Sequence, residues 1–253
     1  MPPLHLTPAV VINVQDHGES DKIVTFYCPH VGKMAGIAKG AKRSKKRFVN
    51  KLEIFSLLEI EYTESKHSSL VRVDQAELLD PFVFLRENYK QYVAATLFCE
   101  LVIFWTREND PDPEIFRLLT WALAKLNAKD HTPEITVLFL LKFLDLLGYR
   151  PQLAGCVSCG VVLDVKHGPY CFSLGRNGII CKTCNQDHQP TTIPLAINTA
   201  KILNKAQDMP LEKISRLQFA RQSLLEAINL LKKYSDSLLH RDIHSWKPFL
   251  QSL

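Results

Sequence analysis

The chain has 253 residues, which is enough to bury one large core or two to three small ones. With 46% hydrophobic and 23% charged residues, its composition is typical of a globular protein and excludes an intrinsically disordered chain. The formal net charge is +5, yet residues 39–47 alone carry six positive charges and no acid, which leaves a net charge of −1 for the rest. The basic character is therefore local, as expected of an electrostatic binding surface.

Two features of the chain predict where the protein works. Residues 1–5 lack the charged and apolar segments of a secretory signal. The most apolar stretch, residues 135–147, contains Lys142 and Asp145 and is too short to span a bilayer, so it predicts a buried helix and no membrane partner. We therefore expect a cytoplasmic protein.

Residues 1–80 have the pattern of a small β-domain. Short segments rich in Val, Ile, Phe, Tyr and Leu alternate with turn-forming or charged residues, and they predict five strands at 7–14, 22–27, 33–39, 52–62 and 70–78. Five strands without a long helix fit a small closed barrel, since closure hides the strand edges. An OB-fold is the first candidate, although an SH3-like barrel would produce a similar pattern.

After Asp80 and Pro81 the pattern becomes helical, with apolar residues three and four positions apart. The segment that begins near Pro133 is apolar on nearly every face, which predicts a helix inside a helical body. Gly148 is placed to cap its C-terminus. Near the end of the chain, leucines spaced by sevens fit either a coiled-coil seam or a core-facing helix; they are Leu217, Leu224, Leu231 and Leu238.

The predicted fold class is α+β and multidomain. We expect an N-terminal OB-like β-barrel over residues 1–80 and an all-helical domain over residues 81–148 and 191–253. Residues 149–190 lose helical periodicity and gain Gly, Pro and Cys, which predicts a four-cysteine zinc-binding insertion.

The basic run between the third and fourth predicted strands is called the basic connector here (residues 39–47). Its like charges repel one another, and nucleic-acid phosphates relieve that repulsion while releasing counterions. We therefore favour contacts to a nucleic-acid backbone over the alternative of a solvated charged loop. The predicted nucleic-acid-binding residues are Lys39, Lys42, Arg43, Lys45, Lys46 and Arg47.

Residues near the basic connector give two further expectations. Asp16, Glu19 and Asp21 lie in the first barrel loop, where they should repel a phosphate backbone. Phe48 lies among basic residues and is the aromatic side chain best placed to stack on a base. Contacts to the backbone, with little sequence information, are expected to dominate.

The cysteines form two Cys-x-x-Cys pairs, Cys156 with Cys159 and Cys181 with Cys184, separated by 21 residues. Four thiolates arranged in this way can converge tetrahedrally on one Zn²⁺, and four protein ligands leave no open position, so the ion would be structural. A redox dithiol is the main alternative, but neither pair begins a helix in a βαβ unit.

Three more residues in this region could replace one of the four ligands. They are Cys171, His167 and His188. Because the two pairs already complete a tetrahedron, we interpret Cys171 as a small hydrophobic side chain under the loop.

The chain lacks the sequence motifs of nucleotide hydrolases, zinc proteases, serine hydrolases and dinucleotide-binding enzymes. His17 with Glu19, or His30 near Cys28, could be drawn as catalytic pairs, but their spacing is no different from that of surface polar residues. We therefore predict a protein that is not an enzyme.

Taken in order, these motifs resemble the RecO family of recombination mediators. The resemblance is carried by residues 17–25 (His-Gly-Glu-Ser-Asp-Lys-Ile-Val-Thr), residues 38–43 and residues 147–153 (Leu-Gly-Tyr-Arg-Pro-Gln-Leu), followed by the two cysteine pairs. It covers essentially the whole chain. Asn177 stands where the family pattern has a glycine; because Asn tolerates positive φ, we expect the turn to be retained.

The resemblance implies an N-terminal OB-fold, a helical domain and a zinc-binding insertion. It also implies a nucleoid-associated protein that binds single- and double-stranded DNA and anneals complementary strands. With RecR, such a protein helps to load RecA onto strands coated by single-strand-binding protein, whose acidic C-terminal tail it can bind. Carried over to this chain, Lys39, Lys42 and Arg43 fall in the DNA-contacting segment, and the cysteine pairs fall at the zinc ligands.

Two other classes of function compete with this interpretation. A zinc-containing, sequence-specific transcription regulator would need a helix with a face rich in Arg, Asn and Gln, and none is evident. A nuclease would need clustered acids to hold metal ions, and the acids here occupy ordinary surface positions.

Overall fold

The computed structural model describes residues 3–65, 68–129, 131–185, 191–239 and 241–253. The chain forms two compact units, one of Met1–Asp130 with Lys247–Leu253 and one of His131–Trp246. The elements of the first unit are β1 (Leu4–His17), β2 (Asp21–Cys28), β3 (Gly32–Ala38), β4 (Leu57–Thr63), β5 (Val71–Asp80), α1 (Val83–Glu87), α2 (Tyr89–Trp105) and α3 (Pro113–Asn127).

The second unit is mainly helical and carries a small sheet. Its elements are α4 (Thr132–Leu146), β6 (Tyr170–Ser173), β7 (Gly178–Ile180), β8 (Thr192–Leu195), α5 (Ile197–Asp208), α6 (Leu211–Ile214) and α7 (Arg221–Leu239). A last helix, α8 (Trp246–Gln251), begins at the final residue of this unit, and its remaining residues belong to the first.

The five N-terminal strands close into a barrel of order β1-β2-β3-β5-β4. β3 pairs in parallel with β5, through Gly36 opposite Val71 and Ile37 opposite Arg72, while the other pairs are antiparallel. Pairing of β3 with β5 rather than with β4 is the arrangement of an OB-fold and decides against an SH3-like barrel. The predicted OB-like barrel followed by a helical region is confirmed.

Alternating side chains of these strands fill the barrel, with Val11, Phe26 and Ile60 buried in one core. The predicted strands match the observed ones closely, except that β4 begins at Leu57 instead of residue 52. The reason is local, because Phe55 adopts a positive φ of 73° and donates its backbone N–H to the Val11 carbonyl at 2.9 Å. The chain therefore turns before it can extend.

Lys33 connects the barrel to the helices of the same unit. Its ammonium donates to the carbonyls of Ile103 and Thr106, the latter at 2.6 Å, at the C-terminal end of α2, where a cation is favoured. Burial lowers the pKa of Lys33. The backbone N–H of Asn109 also donates to the Lys33 carbonyl at 3.0 Å. These contacts explain why α1–α3 belong to the same compact unit as the barrel.

The two compact units of the structure have different boundaries from the three domains predicted from the sequence. The domain boundaries at 1–80, 81–148 with 191–253, and 149–190 stay a prediction. One strand, β8, lies within the stretch assigned to the all-helical domain, where it pairs with β6 in a sheet of order β7-β6-β8. Four residues are too few for the sequence pattern to distinguish a strand from a loop.

Helix α4 is the centre of the second unit. It is apolar on nearly all faces, as predicted, and packs against α5 and α7. Gly148 follows it with φ of 81°, and the N–H of Tyr149 donates to the Leu144 carbonyl at 2.8 Å, which is the predicted glycine cap. Leu224 and Leu231 of α7 are buried, which supports the core-facing helix over the coiled-coil seam.

The segment that follows α4 holds the second unit together through polar contacts. Arg150 pairs with Asp145 at 3.2 Å and with Asp208 at 2.6 Å. The buried amide of Gln207 donates to the Pro151 carbonyl at 2.8 Å. The Leu-Gly-Tyr-Arg-Pro motif that carries part of the family resemblance therefore has a structural role, because it joins the ends of α4 and α5.

Candidate nucleic-acid interface and metal centre

The basic connector leaves the barrel after β3 and returns to it before β4. Residues Ala41–Arg43 form one turn of 3₁₀ helix. The side chains of Ala41, Phe48 and Leu52 are buried in the barrel core and anchor the segment from within. Between these anchors, the charged side chains are held at the surface. The predicted binding residues all lie at the surface, although the side chain of Lys42 is itself only 25% exposed; they are Lys39, Lys42, Arg43, Lys45, Lys46 and Arg47.

The connector is also held by the loop that joins β1 to β2, which we call the acidic hairpin (residues 16–21). The backbone N–H of Lys42 donates to the Ser20 carbonyl at 2.9 Å. The backbone N–H of Gly40 donates to the Asp21 carboxylate at 2.8 Å, and this bond, with one from Ser20, lowers the pKa of Asp21. Hydrogen bonds to a carboxylate favour its charged form.

Two cations of the basic connector form ion pairs with the acidic hairpin. Lys42 Nζ lies 3.1 Å from Asp16 Oδ2, and Arg43 Nη2 lies 3.5 Å from Glu19 Oε2. From the sequence, these acids are expected only to repel phosphate. The structure shows a second role, because the acids neutralise part of the connector. Their positions in and beside the turn between β1 and β2 could be predicted from the sequence, but the approach of that turn to residues 40–43 could not.

The side chain of Arg47 is used within the barrel domain. Its guanidinium donates to the carbonyls of Lys39 at 3.2 Å and Asp74 at 3.4 Å, and it lies 5.0 Å from the centre of the Phe48 ring. Phe48 is only 3% exposed. The expectation that Phe48 stacks on a base is therefore wrong, because the barrel core and Arg47 occupy both sides of its surface.

Lys45 and Lys46 differ from the other members of the basic connector. Both are exposed, and neither forms an ion pair or a hydrogen bond with any residue that the structure describes. Unpaired ammonium groups on a fixed segment retain their full charge for a polyanion. The connector thus presents free cations at Lys45 and Lys46 and paired cations at Lys42 and Arg43.

The second predicted site is the cysteine cluster (Cys156, Cys159, Cys181 and Cys184). Its four sulfur atoms all lie within 4.8 Å of one another, and the Sγ atoms of Cys159 and Cys181 are 3.8 Å apart. Thiolates at about 2.3 Å from a tetrahedral Zn²⁺ would be separated by about 3.8 Å. The residues therefore fit one zinc ion, and the structure brings together the four predicted ligands.

The thiols of the cluster affect one another's proton binding. Burial opposes ionisation of Cys156, but hydrogen bonds from the backbone of Cys181, Cys159 and Ser158 outweigh it and lower the pKa of Cys156 to about 6. Hydrogen bonds with Cys159 and Cys181 raise the pKa of Cys184 to about 12. Four thiolates this close repel one another, and a divalent cation would remove that repulsion.

A small scaffold holds the two cysteine pairs against each other. The backbone N–H of Val157 donates to the Ile179 carbonyl at 2.8 Å, next to the β6–β7 hairpin. Asn177 occupies the turn of this hairpin with φ of 52°, as the sequence predicted. A Cβ atom on Gly178 would meet the side chain of Val157 and lie 2.8 Å from Gln152 Cβ, so this position requires a glycine.

The alternative ligands lie outside the cluster or outside the described residues. Cys171 is half-buried on β6, and its sulfur accepts a hydrogen bond from Asn185 Nδ2 at 3.5 Å. His167 is exposed in a 3₁₀ turn and does not join the four sulfur atoms. His188 falls among the residues that the structure does not describe. The two isolated cysteines, Cys28 and Cys99, are buried, and burial raises their pKa values.

No helix in the described segments of the chain combines the length and apolar character that a bilayer crossing requires.

Comparison with known proteins matches both parts of the chain to one family. The family model "Recombination protein O N terminal" matches residues 1–82, and "Recombination protein O C terminal" matches residues 86–247. A DNA repair protein RecO from Syntrophobacter fumaroxidans is 32% identical over 97% of both chains. The one from Desulfatibacillum aliphaticivorans is 33% identical over 92% of this chain and 91% of its own length. The one from Syntrophus aciditrophicus is 29% identical over 96% of this chain and 94% of its own length. The chain belongs to the recombination protein O family of DNA repair proteins.

Proposed function

We propose that this protein is a recombination mediator that acts by binding, without catalysis of its own. In this role it binds single- and double-stranded DNA without sequence specificity and anneals complementary strands. With RecR, it helps to load RecA onto strands coated by single-strand-binding protein, and it contacts the C-terminal tail of that protein. It would work in the bacterial cytoplasm, associated with the nucleoid.

The proposal that the protein binds DNA rests on the arrangement of the basic connector. Six exposed cations lie on one segment anchored to an OB-fold, and Lys45 and Lys46 have no counter-charge among the residues that the structure describes. Contacts from such residues reach phosphates, which are the same in every sequence, so they give affinity without base recognition. Because Phe48 is buried, stacking by that residue contributes nothing to the proposed interface.

The cysteine cluster has a structural role in this proposal. A bound Zn²⁺ would supply bonds that link the two Cys-x-x-Cys pairs, and its four protein ligands would leave no position for a substrate. The residues around the cluster position those ligands through backbone hydrogen bonds and the close packing at Gly178. Segments of this size rarely build a sufficient core without such a link.

The proposed function is tested by strand annealing. Complementary oligonucleotides coated with single-strand-binding protein are mixed with the purified protein, with and without a nucleoside triphosphate. A mediator should accelerate duplex formation to the same extent in both conditions, because no hydrolysis takes part. No acceleration, or acceleration that requires nucleotide, would contradict the proposal. A tight preference for one duplex site would favour a transcription regulator instead.

A further inference from the structure

The acidic hairpin binds the same atoms that a phosphate would bind. Lys42 Nζ is held by Asp16 Oδ2 at 3.1 Å and by the carbonyl of Gly18 at 3.0 Å. The Lys42 side chain is only 25% exposed, so most of its surface is already in contact with the protein. Arg43 makes a longer and more exposed pair with Glu19 at 3.5 Å. Lys42 is therefore the more strongly held of the two.

The hairpin is fixed in this position by its backbone. The Ser20 carbonyl accepts from the Lys42 N–H, and the Asp21 carboxylate accepts from the Gly40 N–H at 2.8 Å. These bonds do not depend on Asp16 or Glu19. The two carboxylates thus stay near the basic connector even when their ion pairs open, which gives them a high local concentration beside Lys42 and Arg43.

We propose that the acidic hairpin is an intrachain competitor for nucleic-acid phosphates, with Asp16 and Glu19 as the residues that limit affinity. The inference rests on the proposed function, since it concerns the same DNA-binding connector. Lys45 and Lys46 engage the backbone first, and phosphates then displace the two carboxylates from Lys42 and Arg43. The hairpin weakens binding to every DNA sequence equally, and the protein therefore dissociates from DNA more readily.

The competitor has a specific effect on the salt dependence of binding. When a free lysine meets a phosphate, the DNA releases a condensed counterion. When a paired lysine does so, the carboxylate that it leaves stays beside the phosphates and offsets part of the added positive charge, so fewer counterions are released. Paired cations therefore add less to the slope of log K against log salt than their number of contacts suggests. Removal of the competing carboxylates should steepen the slope.

The experiment compares two variants of the full-length protein with the same change in charge. One carries Asp16→Asn and Glu19→Gln, which removes the competitor. The other carries Glu59→Gln and Glu61→Gln on β4, where the described residues provide no ion pair for either side chain. Binding to a single-stranded and a double-stranded oligonucleotide is measured by fluorescence anisotropy over a series of salt concentrations.

The hairpin variant should bind both oligonucleotides more tightly than the β4 variant, by about threefold to tenfold at low salt, because an exposed ion pair is worth up to about fivefold. Its salt slope should be steeper by up to about two units, one for each freed cation. Adding Lys42→Gln and Arg43→Gln to the hairpin variant should abolish the gain. Equal affinity and slope in the hairpin and β4 variants, or a gain that survives the Lys42 and Arg43 substitutions, would overturn the inference.

A separate variant distinguishes failure of this inference from failure of the proposed function. Lys45→Gln with Lys46→Gln removes the free cations and leaves the hairpin pairs in place. If this variant binds DNA more weakly while the hairpin variant is unchanged, the connector is the DNA-binding site but the acidic hairpin does not compete with phosphates. No effect of either variant would reject the connector itself.

Discussion

The carboxylate of Asp21 accepts a hydrogen bond from the backbone amide of Gly40, so one acid ties the first residue of β2 to the beginning of the basic connector. This bond lowers the pKa of Asp21 in the folded protein below the ordinary value of about 3.9 that it has in the unfolded chain. A carboxyl group with a lowered pKa stabilises the fold above the unfolded pKa, and its contribution is lost as the pH falls through the folded pKa.

Substitution Asp21→Asn should therefore lower the melting temperature at pH 7, and the difference from the unsubstituted protein should shrink below about pH 4. Thermal unfolding followed by circular dichroism over this pH range measures the effect. Glu61→Gln on β4 is the control, since no ion pair to Glu61 is found within the described ranges. A difference that stays constant from pH 7 to pH 3 would show that the Asp21 charge does not contribute.

The basic connector gives a prediction about affinity. Lys45→Glu with Lys46→Glu should weaken binding to all DNA sequences alike and flatten the salt slope by up to about one unit per lost phosphate contact. Lys201→Glu with Lys205→Glu makes the same charge change on exposed positions of α5 and serves as the control. If both pairs of substitutions reduce affinity equally, only the net charge of the protein matters and the connector is not the site.

The cysteine cluster predicts one zinc ion per chain when the protein is purified under reducing conditions. Cys181→Ser should reduce the bound zinc to below about a tenth of that amount, because three sulfur atoms leave the tetrahedron incomplete. Mass spectrometry of the metal content gives the measurement. Cys171→Ser should retain the ion, since Cys171 lies outside the cluster. Zinc loss from the Cys171 variant instead would mean that the ligand set is wrong.

The close packing around Gly178 leads us to expect that a glycine is required beside the cysteine cluster. Gly178→Ala should destabilise the second unit by about 1–3 kcal/mol, because the new Cβ would overlap Gln152 and Val157. Thermal unfolding and the rate of zinc release to a chelator report the effect, which should appear in both. Gly175→Ala is the matched control, since no heavy atom lies within 4 Å of a Cβ at that position. Equal stability of the two variants would disprove the requirement.

Much of this protein could be predicted from local patterns in the chain. The five strand segments, the buried helix α4, its glycine cap at Gly148 and the two Cys-x-x-Cys pairs can all be predicted from the sequence. These features depend on neighbours within one element, such as alternation of apolar residues, residues at helical spacing, or two cysteines on one turn. The family resemblance depended on the same local motifs in the same order.

Other features could not be predicted because they join residues that are distant in the chain. Phe48 lies in a charged run, and only the closed barrel shows that its ring belongs to the core. The strand β8 exists because β6 is there to pair with it. The contact of Lys33 with the end of α2 likewise joins residues that are 70 and 73 positions apart in the chain.

The sequence alone determined the five barrel strands, the buried helix α4, the two Cys-x-x-Cys pairs and the concentration of charge in the basic connector. Only the tertiary structure decided which of those charges are free. Pairing of β2 with β3 places Lys22 opposite Ala38, and this brings Asp16 and Glu19 to Lys42 and Arg43. Net charge is a sum along the chain, whereas the electrostatic energy of each cation depends on its distance from every other charge.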